Sequence, residues 1–129
     1  MRGLSPAVRL AAGVAVAIAC LGVLMLSTTP NLTFVNHPVA DHVARKLGHF
    51  LAFLAIAFGA GITAGASLAR MRTAWLIVST AAALALLDEG IQSHVPGRLS
   101  SPIDVAVDVF GAICGVVAWL RFERLPRER

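Results

Sequence analysis

Four long apolar blocks dominate this chain, and they restrict its fold more than any other feature. Residues 10–26 and 47–69 carry no Asp, Glu, Lys or Arg, and two further blocks, 74–92 and 103–120, are broken only by acids near one end. A hydrocarbon layer about 30 Å thick is crossed by about 20 helical residues rising about 1.5 Å each. Each block is close to that length. With no water to satisfy exposed backbone groups, an isolated strand is ruled out and a helix is required. The expected fold class is therefore all-α: a polytopic membrane protein built as a four-transmembrane-helix bundle, with residues 1–129 forming one membrane domain. A composition of 57% hydrophobic and 14% charged residues leaves no length for a separate soluble domain.

The charges are placed at the ends of these blocks. Arg2 and Arg9 precede the first, Arg70 and Arg72 lie between the second and third, and Arg121, Arg124, Arg127 and Arg129 follow the fourth. In a four-span chain these segments share one side, and the positive-inside rule puts that side, with both termini, in the cytoplasm. The formal net charge of +4 is thereby a topology signal. It forms no basic stripe interleaved with aromatics, so no nucleic-acid partner is expected. The first block resembles a secretory signal, with Ala17-Ile18-Ala19 as a small-residue site, but the apolar run continues through Leu26 and reads as an uncleaved anchor. Cys20 and Cys114 sit within apolar blocks and indicate neither a disulfide framework nor a metal pair.

With this orientation, polar residues from three blocks gather at the outer side. His49 lies near the outer end of the second block, Asp88, Glu89 and Gln92 end the third, and Asp104 and Asp108 begin the fourth. Glu89 is about 21 Å along its helix from Trp75, and Asp104 about 22 Å from Trp119. If those tryptophans mark the inner interface, both acids lie somewhat below the outer boundary. Asp104, Asp108, Gly111 and Gly115 are spaced by four, three and four, so they share a helix face. Gly111 and Gly115 form a small-xxx-small pair that lets two helices approach closely, which predicts that the aspartates face protein. Glu89 and Gln92 share a strip with Ala82 and Ala85 or Leu86; Lys46, His49 and Phe53 form another, with Gly61 and Gly65 deeper. Pro96-Gly97 predicts a turn that returns Arg98 over the carboxylates. Asp41 to Lys46 predicts a helical lead into the second span, with Asp41 and Arg45 forming a solvated i,i+4 pair.

The candidate polar pocket is thus Lys46, His49, Glu89, Gln92, Arg98, Asp104 and Asp108. Acids cost about 2.5–3.5 kcal/mol at the centre of a span, less near its ends, so several retained together suggest a functional site. No compact metal-ligand spacing is present, and no metal or other cofactor is expected.

Lys46-Leu-Gly-His49-Phe50, then Glu89-x-x-Gln92-x-x-x-Pro96-Gly97-Arg98, then Asp104-x-x-x-Asp108-x-x-Gly111-x-x-x-Gly115, resembles the VanZ-like family in residue type and order over positions 46–115. The resemblance implies a small multi-span protein of the bacterial cytoplasmic membrane. It also implies a setting in the cell envelope, the founding member being associated with resistance to the glycopeptide teicoplanin. Two positions depart from the family pattern: Asp108 stands where members usually have Asn, and Phe53 where they often have Tyr.

Three function classes follow. The first is an envelope protein whose outer pocket takes a membrane lipid, an envelope precursor or a glycopeptide-related ligand, with Lys46 and Arg98 facing anions and Gln92, Asp104 and Asp108 hydrogen-bonding. The second is a membrane-embedded hydrolase or transferase on an envelope lipid or lipid-linked precursor, with Glu89 or His49 as general base and Arg98 stabilising developing negative charge. No nucleophile motif selects that chemistry, so enzyme activity stays open at this point. The third is a proton-coupled transporter, for which four spans are few. The sequence implies no particular oligomeric state.

Overall fold

The structure, a computed structural model, describes residues 4–65, 70–98 and 101–124. Arg2, Arg127, Arg129 and the expected last turn of the second span, 66–69, lie outside the described residues. Four helices follow one another: α1 (Pro6–Ser27), α2 (Pro38–Ala64), α3 (Arg70–Gln92) and α4 (Pro102–Phe122). All four are long and apolar enough to cross a membrane.

Three of the helices start at proline, whose missing N–H is one of the donors left unpaired at a helix start. Ser5 and Ser101 cap α1 and α4 by accepting from the backbone N–H groups of Val8 (3.3 Å) and Ile103 (3.2 Å). The helical lead expected over 41–46 is continuous with α2 and begins at Pro38. At its other end α2 stops at Gly65, whose φ of 62° is a left-handed value that glycine adopts without a Cβ penalty.

Contacts between helix ends define an up-down bundle. Arg9, near the start of α1, donates to the carbonyls of Thr63 (3.0 and 2.9 Å) and Ala64 (2.8 Å) at the end of α2. Arg70 at the start of α3 approaches Glu123, just past α4, at 3.9 Å. Ser27 at the end of α1 accepts from Gln92 at the end of α3 (3.3 Å). Arg9, Arg70 and Arg121 therefore lie at one end of the bundle, called the arginine end, and the polar residues of 41–49, 88–98 and 101–108 at the other.

The tightest packing joins α2 to α4, which run in the same direction. A Cβ added at Gly111 would collide with the carbonyl of Phe50, and one at Gly115 with the carbonyl of Leu54. Both glycines are buried, as the small-xxx-small pair predicts. Lipid tails are as apolar as the side chains, so association rests on such close approach rather than on a hydrophobic drive. Farther along, Gly61 lies against the indole of Trp119. Trp119 is fully buried, whereas Trp75 is 68% exposed. This corrects the use of Trp119 as an interface marker: the missing side chain of Gly61 makes room for the ring inside the bundle. The depth deduced for Asp104 from Trp119 lapses with it. Gly65 does not pair with Gly61 in packing; it borders the Arg9 guanidinium. α1 is the most lipid-like helix, with Leu10, Ile18, Leu21 and Met25 all exposed and only Val23 and Ser27 buried.

Candidate functional site

Since α2 and α4 run parallel and approach backbone to backbone at Gly111 and Phe50, side chains within the preceding two turns of each helix meet as well. Lys46 pairs with Asp104, and His49 Nδ1 lies 3.3 Å from Asp108 Oδ1 and 3.4 Å from Oδ2. Asp108 is 2% exposed, so its carboxylate faces protein as the shared helix face predicts.

From α3 comes Asp88, 1% exposed, with Oδ2 3.9 Å from His49 Nδ1. Its i,i+4 neighbour Gln92 donates from Nε2 to the same oxygen at 2.7 Å. Asp88 was not among the residues the family-like motif singled out. The signal that identifies it is the strip Ala81, Ala85, Asp88 and Gln92, all buried, at helical spacing. Of the strip expected through Ala82 and Ala85 or Leu86, Ala85 is buried, Ala81 stands in place of Ala82, and Leu86 is exposed.

Glu89 has a different task. Its Oε1 accepts from the backbone N–H of Ser101, the residue that caps α4. Side by side on α3, the two acids thus turn to different neighbours: Asp88 toward α2, Glu89 toward the start of α4. By fixing where α4 begins, Glu89 sets the register that places Asp104 and Asp108.

The turn at 96–98 forms as expected, with Gly97 at φ 78° and packed on the Asn31 side chain. Arg98, however, reaches across to donate from Nη2 to the Leu26 carbonyl at the end of α1, and does not pair with Glu89. Among the described residues Arg98 makes no ion pair, and its Nε–H is buried without a hydrogen-bond partner. Burial, and after it the positive charge of Arg45, pull the Arg98 guanidinium below its ordinary pKa.

Asp41 also departs from expectation. It is 3% exposed, accepts from the backbone N–H groups of Phe34 (2.6 Å) and Val35 (3.2 Å), and pairs with Arg45. The solvated surface pair is instead a buried clasp that folds the α1–α2 connection over the polar end.

Two cavities open beside these groups. One, of about 280 Å³, is lined by Arg45, Lys46, His49, Gln92, Arg98 and Asp104 among others. The second, of about 350 Å³, is mostly apolar, with Val23, Leu26, Leu32, Phe34 and Ala52 in its wall. Arg45, His49 and Arg98 border both. Of the seven pocket residues expected from sequence, Lys46, His49, Gln92, Arg98 and Asp104 line the polar cavity, while Glu89 and Asp108 lie outside that lining.

Four apolar helices carrying a polar cluster at one end define a multi-pass, all-helical membrane protein. The VanZ/LLP1 family model matches residues 11–123, well beyond the stretch that carries the motif resemblance. The chain belongs to the VanZ-like family. No curated protein and no solved structure matches it.

Proposed function

We propose that the polar end binds the anionic headgroup of an amphiphile, an envelope lipid or lipid-linked precursor, while the neighbouring apolar cavity takes part of its chain. The observation that carries this reading is Arg98. It stands at the wall shared by the two cavities, lacks an ion-pair partner among the described residues, and has a buried N–H unspent. An anion there would offset both the burial and the Arg45 repulsion that weigh on the guanidinium. The mixed wall, cationic on one side and apolar on the other, suits a molecule with the same division.

The arginine end is the cytoplasmic one by the positive-inside rule, which directs the pocket outward from a bacterial cytoplasmic membrane. Family membership supports a role in envelope physiology and extends to teicoplanin resistance as its particular version.

The test is lipid retention by the full chain, purified in mild detergent and examined by native mass spectrometry. Phosphatidylglycerol should be retained in preference to phosphatidylcholine, and Arg98→Ala should reduce that preference by about ten- to a hundred-fold, the worth of a charge-assisted hydrogen bond. Equal retention of the two lipids by the wild type overturns the anion reading. An unchanged teicoplanin susceptibility in a sensitive host expressing the protein removes the resistance version alone.

A further inference from the structure

The sequence contains no compact metal-ligand spacing, and His49, Asp88 and Asp108 are separated by 39 and 20 positions. The fold brings three candidate ligands together from three elements: His49 of α2, Asp88 of α3 and Asp108 of α4 each offer a ligand atom, all within 4.8 Å of one another. We propose that these three side chains bind one divalent first-row transition ion, such as Zn²⁺ or Mn²⁺, beside the polar cavity that His49 lines.

The first argument is charge. Two carboxylates, 1% and 2% exposed, face a single imidazole. Lys46 pairs with Asp104, and Arg98 forms no ion pair with either carboxylate among the described residues. With both aspartates ionised, even a protonated His49 leaves the trio one negative charge in excess, which in a buried site requires either a proton on one carboxyl or a bound cation. A divalent ion removes that excess.

The second is unmet bonding. Asp88 Oδ1 and Asp108 Oδ1 are buried and accept no hydrogen bond among the described residues. Asp108 Oδ1 is directed at the cluster, 3.3 Å from His49 Nδ1. Ligand atoms about 2.0–2.2 Å from a tetrahedral metal lie about 3.3–3.6 Å from one another. That separation is already present between His49 and Asp108, while Asp88 Oδ2, 3.9 Å from His49 Nδ1, has to close in on both within a cluster that spans at most 4.8 Å.

Support and access complete the case. The Gln92 amide holds Asp88, as outer-shell partners hold ligating carboxylates. Gly111 keeps α2 and α4 close enough for short side chains to converge. His49 and Gln92 line the 280 Å³ cavity, which supplies a path for the ion and room for a further ligand. One imidazole and two carboxylates favour Zn²⁺, Mn²⁺ or Fe²⁺ over Ca²⁺, which takes six to eight oxygens.

The experiment needs no lipid-binding result. The full chain in detergent is stripped with chelator, dialysed against buffered Zn²⁺, Mn²⁺ or Ca²⁺, and its metal content measured by inductively coupled plasma mass spectrometry. About one Zn²⁺ or Mn²⁺ per chain is expected, with Ca²⁺ at least ten-fold weaker. His49→Ala, Asp88→Asn and Asp108→Asn should each weaken binding at least ten-fold, whereas His94→Ala, on the exposed loop, should not. A wild-type chain that binds neither ion overturns the proposal without recourse to any variant. So does undiminished binding in Asp88→Asn and Asp108→Asn, or tighter binding of Ca²⁺. As a check on folding, Zn²⁺ should raise the wild-type melting temperature and leave that of Asp108→Asn unchanged.

Discussion

The two ends of this bundle use charge in opposite ways. At the arginine end, Arg9 spends its guanidinium on the carbonyls of Thr63 and Ala64 at the C-terminus of α2. Arg70 and Glu123 stand 3.9 Å apart, with Arg70 half-exposed. At the polar end, carboxylates go below the surface, bind side chains from other helices, and still retain oxygens without partners. One end closes the helices; the other leaves bonding capacity in place. Charge near a membrane surface is therefore no guide to function until its partners are known.

The sharpest way to break the polar end is through its packing. Gly111→Leu drives a side chain into the Phe50 carbonyl, where backbone cannot yield cheaply. A loss of about 3 kcal/mol or more is expected, at the upper end of overpacking effects. Reversible denaturant unfolding in detergent would measure it, and Lys46–Asp104 and His49–Asp108 should separate together. Wild-type stability in this variant would mean that the parallel helix contact does not hold the site.

Arg9→Ala addresses the opposite end. Loss of its hydrogen bonds to the α2 terminus should cost about 1–2 kcal/mol, part of it from the interaction of a cation with a helix C-terminus. The same unfolding assay reads the loss, and lipid retention per folded chain should not change. A selective loss of retention would show that the two ends are coupled.

The smallest effect is expected for Arg70→Ala. A half-exposed pair at 3.9 Å is worth less than about 1 kcal/mol and is screened by salt. Its melting temperature should remain close to that of the wild type, and a large drop would call for a contact other than Glu123.

The sequence made the four helices legible because apolar length is a property of consecutive residues. The seam was legible too: Gly111 and Gly115 stand at the spacing that a close helix approach needs, and they occupy it. Rotation between neighbouring residues was less so. Asp88 and Glu89 differ by about 100° around α3, and only the positions of α2 and α4 decide which acid meets His49 and which caps a helix start. Arg98 presents the same difficulty in a loop. Its turn follows from Pro96-Gly97, but its aim depends on the Leu26 carbonyl, 72 residues away in sequence. Trp119 was misread because its burial depends on a glycine in a different helix.

That buried indole has a practical consequence. Trp75 and Trp119 are the two tryptophans of the chain, one facing outward and the other enclosed at the α2–α4 contact. Replacing Trp75 with Phe leaves a single intrinsic fluorophore in the contact that aligns the polar end. Its emission colour and quenching by lipids brominated along their tails report whether that contact opens, without an attached dye.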